Sequence, residues 1–211
     1  MKKAFIIVFV ILFFDQFLKI WIKTHMHLGE EISIFGNWFI IHFTENEGMA
    51  FGMKLGGNWG KLILSIFRIC AVILMIWWLY KITRKKVSNG VIISIAMVIA
   101  GAMGNILDSA FYGLIFNEST YMQVASFMPA EGGYTGFLYG KVVDMLYFPV
   151  INTRFPAWFP FFGGEEFEFF RPVFNIADSS ITIGVLMLIL FQKKFFRKEE
   201  NVIPPQELSS R

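Results

Sequence analysis

"FNIADSSITIGVLMLILF", Phe174 to Phe191, is the stretch whose reading decides the fold. Beyond Asn175 and Asp178 it is apolar to its end, as a helix in a bilayer would be, yet it opens with an amide and a carboxylate that hydrocarbon tolerates only when they are partnered. Three runs of the same kind lie upstream, Ala4 to Lys23, Leu62 to Lys81 and Val91 to Ser109. A spanning helix needs roughly 20 residues, so the pattern predicts four transmembrane helices. Of the 211 residues, 55% are hydrophobic and 17% charged, which argues against an ordinary water-soluble domain.

Lys2 and Lys3 before an apolar run invite a signal-peptide reading, but no small-x-small cleavage site follows, so the first run is expected to be a retained helix. Lys2 and Lys3, then Lys81, Arg84, Lys85 and Lys86, then Lys193, Lys194, Arg197 and Lys198 all fall on one side of a four-span chain. The positive-inside rule therefore predicts both termini in the cytoplasm. The net charge of +3 reflects these anchors and suggests no nucleic-acid partner. Cys70 stands alone within the second run, where buried packing is the expectation and neither a disulfide nor a thiol metal site can form. Residues 1–198 read as one membrane domain, and 199–211, with Pro204 and Pro205, as a disordered cytoplasmic tail.

Two long connections face outward, residues 25–60 and 111–173, each far longer than an ordinary helix connection. The first carries "IFGNWFIIHFTENEGMAFGM", with apolar Trp38, Ile40 and Phe43 in a β-rich run and turns at Gly48 and Gly52, which predicts a short outer sheet. In the second, "KVVDMLYF" is expected to be extended and to carry Asp144. An aromatic stretch follows, with Phe155, Trp158, Phe159, Phe161, Phe162, Phe167, Phe169 and Phe170; interfacial anchoring and a cover over a cleft are both open to it.

Polar residues at or inside the spans each call for a partner, since an aspartate at a helix centre costs about 2.5–3.5 kcal/mol on insertion scales. Asp15 and Lys19 lie at i and i+4 on one face, as a structural ion pair or as support for a neighbour. Asn105 and Asp108 follow Gly101 and Gly104, and Ala100, Gly104 and Asp108 recur every fourth residue, the pattern of a close-packing seam that ends in a polar network. Asn175 and Asp178 repeat the i, i+3 spacing, where a lone Asp in a first turn would simply favour the helix dipole. Asp144, however, lies upstream on a chain long enough to return and set it beside Asp178. Two carboxylates sharing a site keep one proton between them and leave one to act as base, which suits the activation of water. Their titration would belong to the pair.

Other chemistries find less support. His25, His27 and His42 lack a zinc spacing, and no metal or cofactor is expected. Ser179 and Ser180 with Lys19 lack a nucleophile motif. A transporter or channel could use the same buried polar residues, and a non-catalytic lipid-binding or assembly protein is a third class.

"DQFLK" at Asp15 to Lys19, "NEGMAFG" at Asn46 to Gly52, "GNILD" at Gly104 to Asp108, "VVDM" at Val142 to Met145 and "FNIAD" at Phe174 to Asp178 together resemble the lipoprotein signal peptidase family, also called signal peptidase II. The resemblance implies an intramembrane aspartic peptidase that removes the signal peptide from diacylglyceryl-modified prolipoproteins, with Asp144 and Asp178 as the catalytic pair. It implies supporting roles for Asp15, Lys19, Asn46, Gly48, Asn105, Asp108, Asn175 and Ala177. The expected fold is then mainly α, with four transmembrane helices, a small periplasmic-side β-sheet and an enlarged aromatic-rich outer loop. The expected setting is the inner membrane of a bacterium, among membrane lipids, as a monomer. Ser109 departs from the family, most of whose members carry Arg directly after the residue matching Asp108.

Overall fold

The computed structural model describes residues 1–48, 57–84, 87–149, 151–154, 156, 158–160, 163–164, 166–169 and 172–195. The expected turn at Gly52, the basic residues Lys85, Lys86, Arg197 and Lys198, the aromatics Phe155, Phe161, Phe162 and Phe170, and the tail 199–211 lie outside the described residues.

Among the described residues, three helices are long and apolar enough to cross a membrane: α1 (Lys2–His25), α2 (Gly57–Thr83) and α3 (Asn89–Leu107). α3 runs on through a π-helical turn at Asp108–Tyr112 into the short α4 (Gly113–Ile115), so that its span reaches Ile115. α5 (Ile176–Leu190), the expected fourth span, is a shorter apolar helix of 15 residues, or about 22 Å at ~1.5 Å per residue, followed by α6 (Gln192–Phe195). Asp178 lies in its first turn, as the spacing suggests. Asn175 is the N-cap in extended conformation, and its side chain accepts from the Asp178 amide at 2.8 Å, the satisfaction that an otherwise unpartnered first-turn N–H requires.

α3 is the central helix: 50% of its span is buried within the protein, against 17% for each of α1 and α2. α1 is built inside out. Asp15, Lys19, Ile22 and Lys23 face inward, while Phe5, Phe9, Phe13 and Phe17 face outward, with Phe13 stacked between Phe9 and Phe17. Apolar residues can cover the outside of a helix only where the surroundings are lipid, so this arrangement suits a bilayer and not water. The same logic corrects the expectation for Cys70. It is exposed on the outer face of α2, whose inward stripe includes Val72 and Leu79, because a peripheral helix needs only one face for its neighbour and an outward thiol is at home in hydrocarbon.

The seam between α3 and α5 uses Gly101 together with Gly184, which sequence reasoning did not single out, while a Cβ at Gly104, on the expected row of Ala100, Gly104 and Asp108, would lie 2.7 Å from Asp15 Oδ2 of α1 and 3.1 Å from the Ala177 Cβ. A Cβ at Gly101 would lie 2.1 Å from the Ala177 carbonyl oxygen, and one at Gly184 2.6 Å from that of Ser94, so the two backbones approach within a distance that only glycine allows. Ser180 Oγ donates across the same seam to the Met97 carbonyl at 2.7 Å. Gly101→Ala is accordingly expected to part the helices at a cost of about 1–3 kcal/mol. Unfolding of the purified variant in bicelles checks this, and wild-type stability would show that the seam yields without loss.

The outer sheet forms as expected. β1 (Glu31–Phe35), β2 (Phe39–Asn46) and β3 (Val142–Tyr147) lie antiparallel in the order β1-β2-β3, with Thr44 opposite Asp144 and Asn46 opposite Val142. Ile41, Phe43, Val143 and Met145 turn their side chains onto Ile22 and Met26 of α1 and onto Tyr112 and Phe116, which makes a core at the outer end of the helices. A separate hairpin, β4 (Ile151–Arg154) with β5 (Glu166–Phe169), occupies part of the stretch read only as aromatic. Within that stretch Trp158 is 79% exposed and Phe159 lies tilted against it.

Candidate active site

The two aspartates come together because the chain closes on itself at Leu146 and Phe174. The Leu146 amide donates to the Phe174 carbonyl at 2.7 Å, and the Phe174 amide returns to the Leu146 carbonyl at 3.0 Å. That bridge sits beside Asp144 on one strand and beside Asn175 on the other, so the N-cap of α5 arrives against the edge of β3.

Asn175 then links the pair. Its Nδ2 donates to Asp144 Oδ1 at 2.6 Å, while its Oδ1 accepts the Asp178 amide. Asn105 Nδ2 donates to Asp178 Oδ1 at 2.7 Å, and Asn46 Nδ2 donates to Asp144 Oδ2. Each carboxylate is thus oriented by at least one amide from another element. Asp144 is buried and Asp178 half-buried, which leaves the pair open on the side of Asp178.

Beneath the pair lies an ionic floor. Lys19 Nζ meets Asp15 Oδ2 at 2.9 Å and Asp108 Oδ2 at 2.7 Å, all three side chains fully buried, and donates to Asn105 Oδ1 at 3.1 Å. Asp15 Oδ1 accepts the Ala177 amide at 2.9 Å, and Gln16 Nε2 donates to Asp108 Oδ1 at 2.8 Å. A buried carboxylate without such partners would be very costly, and here every charge is both paired and hydrogen-bonded. Lys19 therefore orients Asn105, which orients Asp178.

Burial, and after it the charge of Asp178, pushes Asp144 up to about 7; Lys19 and the amides of Asn175 and Asn46 pull the other way and are outweighed. A carboxyl of this kind keeps a proton near neutral pH, as two carboxylates at one site should. The arrangement can hold a water, take a proton from it and give one to a neighbouring oxygen. Among the described residues no group of three or more His, Cys, Asp or Glu side chains is arranged to hold a metal ion.

Residues 7–194 match the family described as Signal peptidase (SPase) II. The chain belongs to the signal peptidase II family. It is 49% identical over 185 residues to the lipoprotein signal peptidase of Porphyromonas gingivalis strain ATCC 33277, covering 87% of this chain and 80% of the relative. The corresponding protein of Amoebophilus asiaticus is 35% identical over 179 residues, covering 83% and 71%. In fold the chain is similar to a bacterial membrane enzyme solved by the in meso method at 2.3 Å, with a TM-score of 0.60, 24% identity and coverage of 96% and 95%.

This signal peptidase II gathers every residue expected at its site: Asp15, Lys19, Asn46, Asn105, Asp108, Asn175 and Ala177 join Asp144 and Asp178 in one network. Gly48 turns the chain just beyond Asn46, with φ +87°, and its amide donates to Asn46 Oδ1. Ser109 brings no charge to the network, since its hydroxyl donates back to the Asn105 carbonyl of its own helix at 3.0 Å. Sequence reasoning missed Gln16, and it missed Lys23, which is fully buried against Glu45 and donates to Ser119 Oγ at 2.8 Å. The spacing held a signal for Lys23: it stands four residues beyond Lys19 on the face that already carries Asp15.

Proposed function

We propose that the chain cleaves the signal peptide from prolipoproteins whose lipobox cysteine carries a diacylglyceryl group, by direct attack of water activated between Asp144 and Asp178. The observation that carries this reading is that Asn175 holds both the Asp144 carboxylate and the backbone amide of Asp178, with Asn105 holding the Asp178 carboxylate. One carboxylate takes a proton from the water as its oxygen bonds to the scissile carbonyl carbon. The protonated partner gives its proton to the carbonyl oxygen, so a neutral tetrahedral diol forms without charge build-up. On collapse a proton passes to the leaving nitrogen, the C–N bond breaks, and the pair regains its single proton.

The surroundings of the pair suit this substrate. A membrane-anchored precursor presents its scissile bond near the bilayer surface, where a carboxylate pair at a helix mouth meets both water and lipid-borne peptide. We read α5 with α6 as the fourth span, its short length accommodated by local thinning of the bilayer. Both termini then face the cytoplasm of a bacterial cell, residues 1–198 act as one domain, and the protein works as a monomer in the inner membrane. The aromatic outer stretch, with Trp158 outward, is read as an interfacial cover.

Cleavage of a diacylglyceryl-modified precursor by purified protein tests the reading, with a single cut directly before the lipidated cysteine expected. An intact precursor would return the transporter and scaffold readings to the front. Strong chelators are expected to leave the rate unchanged, because the derived mechanism assigns no step to a metal; loss of activity on chelation with recovery on adding zinc would contradict it.

A further inference from the structure

A second polar stripe, outside all five motifs, runs down the face of α2 that looks toward the site. Lys61, Ser65 and Arg68 stand at i, i+4 and i+7, one face of a helix, and Val72 continues the stripe into the apolar core. Each polar member reaches a different outer segment. Lys61 Nζ holds Glu47 Oε2 at 2.6 Å, Ser65 Oγ donates to the Leu138 carbonyl at 3.2 Å, and Arg68 Nη2 donates to the Gly48 carbonyl. Two of the three therefore grip the turn that follows Asn46, whose amide side chain orients Asp144.

Charge gives Arg68 a second task. Asp15, Asp108, Asp144 and Asp178 surround the site, and with one proton shared by the pair they carry three negative charges against the single positive charge of Lys19. Lys23 is neutralised by Glu45 and Lys61 by Glu47, while Lys141 turns to Glu118 at 3.1 Å and lies 3.8 Å from Glu45. Ser109 is neutral. Arg68, held at the Gly48 carbonyl two residues beyond the amide that orients Asp144, lies near enough for its charge to act on Asp178, Asp108 and Asp144, and that charge leaves one uncompensated carboxylate, the one the reaction needs as base. A guanidinium suits this better than an ammonium: one N–H can serve the Gly48 carbonyl while others remain for the site.

We propose that Arg68 is a positioning residue for peptide cleavage, which latches the Asn46–Gly48 turn over the aspartate pair and offsets the surplus negative charge from α2. The proposal rests on the aspartic-peptidase reading above. Gly48 fits this role, because a Cβ there would lie 2.8 Å from Arg68 Nη1 and the left-handed backbone disfavours a side chain.

The test compares Arg68→Gln, Arg68→Lys and Lys61→Gln with the wild-type protein, by kcat/KM for a lipidated precursor across pH and by infrared titration of the aspartate carboxyl stretch. Arg68→Gln is expected to lower kcat/KM by about 10- to 100-fold and to move the acid limb upward by about one pH unit, because a lost cation makes the pair harder to ionise. Arg68→Lys should keep the limb and lose rate, since the charge remains and the fork does not. Lys61→Gln should lose rate without moving the limb. An unmoved limb and unmoved carboxyl titration in Arg68→Gln would overturn the charge role. Wild-type rate in Arg68→Lys would overturn the latch, and that variant decides the latch even if Arg68→Gln does not fold. The infrared titration needs no turnover, so a wild-type protein that fails to cleave would sink the peptidase reading while the charge role of Arg68 is still judged.

Discussion

Asp144→Asn and Asp178→Asn are each expected to lower cleavage of a lipidated precursor by about 10²- to 10⁴-fold, with the chain still inserted and folded. An amide can neither take the proton of the attacking water nor hold the one the pair shares. Because the two act as a unit, the double variant is expected to be little worse than either single one. The fold should survive, since Asn at 144 can still accept from one of the two amides that hold Asp144, those of Asn175 and Asn46, and only the other bond is lost. Asp144→Asn is in fact expected to be the more stable protein in mild alkali. The folded-state pKa of Asp144 is raised, to about 7, above that of an unfolded carboxyl near 4. The wild-type protein therefore loses stability as pH rises from about 4 and bears the full burden of the buried charge above about 7, whereas Asn never ionises. Thermal unfolding in detergent at pH 5 and pH 8 checks this; an advantage for the variant that does not grow with pH would mean that Asp144 ionises at little cost. Near-normal turnover by either single variant would remove that residue from the reaction.

Lys19→Met is expected to cause the largest loss of stability, about 3–5 kcal/mol, because it leaves Asp15 and Asp108 buried with no cation between them. Such a loss is a large share of the net stability of a typical domain. Adding Asp108→Asn should restore part of it, since one uncompensated charge goes with the substitution, and the double-mutant cycle then reports the coupling of the pair directly. Unfolding by SDS in bicelles gives the measurement. A single Lys19→Met variant within about 1 kcal/mol of wild type would show that water or proton uptake relieves the aspartates, and that the ionic floor stabilises little. Activity should fall along with stability, because Lys19 also orients Asn105, the amide that holds Asp178.

By itself the sequence determined the apolar runs, the two long outer connections and the polar residues that cannot face lipid, since hydropathy and the cost of a buried charge are local properties legible along the chain. The five ordered motifs pointed to the family, and "KVVDMLYF" and the run before Asn46 were legible as strands from their alternation and β-branched content. Only the tertiary structure decided which partner satisfies which charge. Asp15 bonds to the Ala177 amide 162 residues away, and Asn46 to Asp144 98 residues away, through closures that no spacing reveals. It decided that Cys70 faces outward, because hydropathy cannot separate a face turned to lipid from one turned to protein when both are apolar. It decided, too, that the Asn175 side chain caps α5, and that Lys23 and Arg68 turn inward. Those outcomes depend on which surface each helix meets, and that surface exists only once the chain has folded.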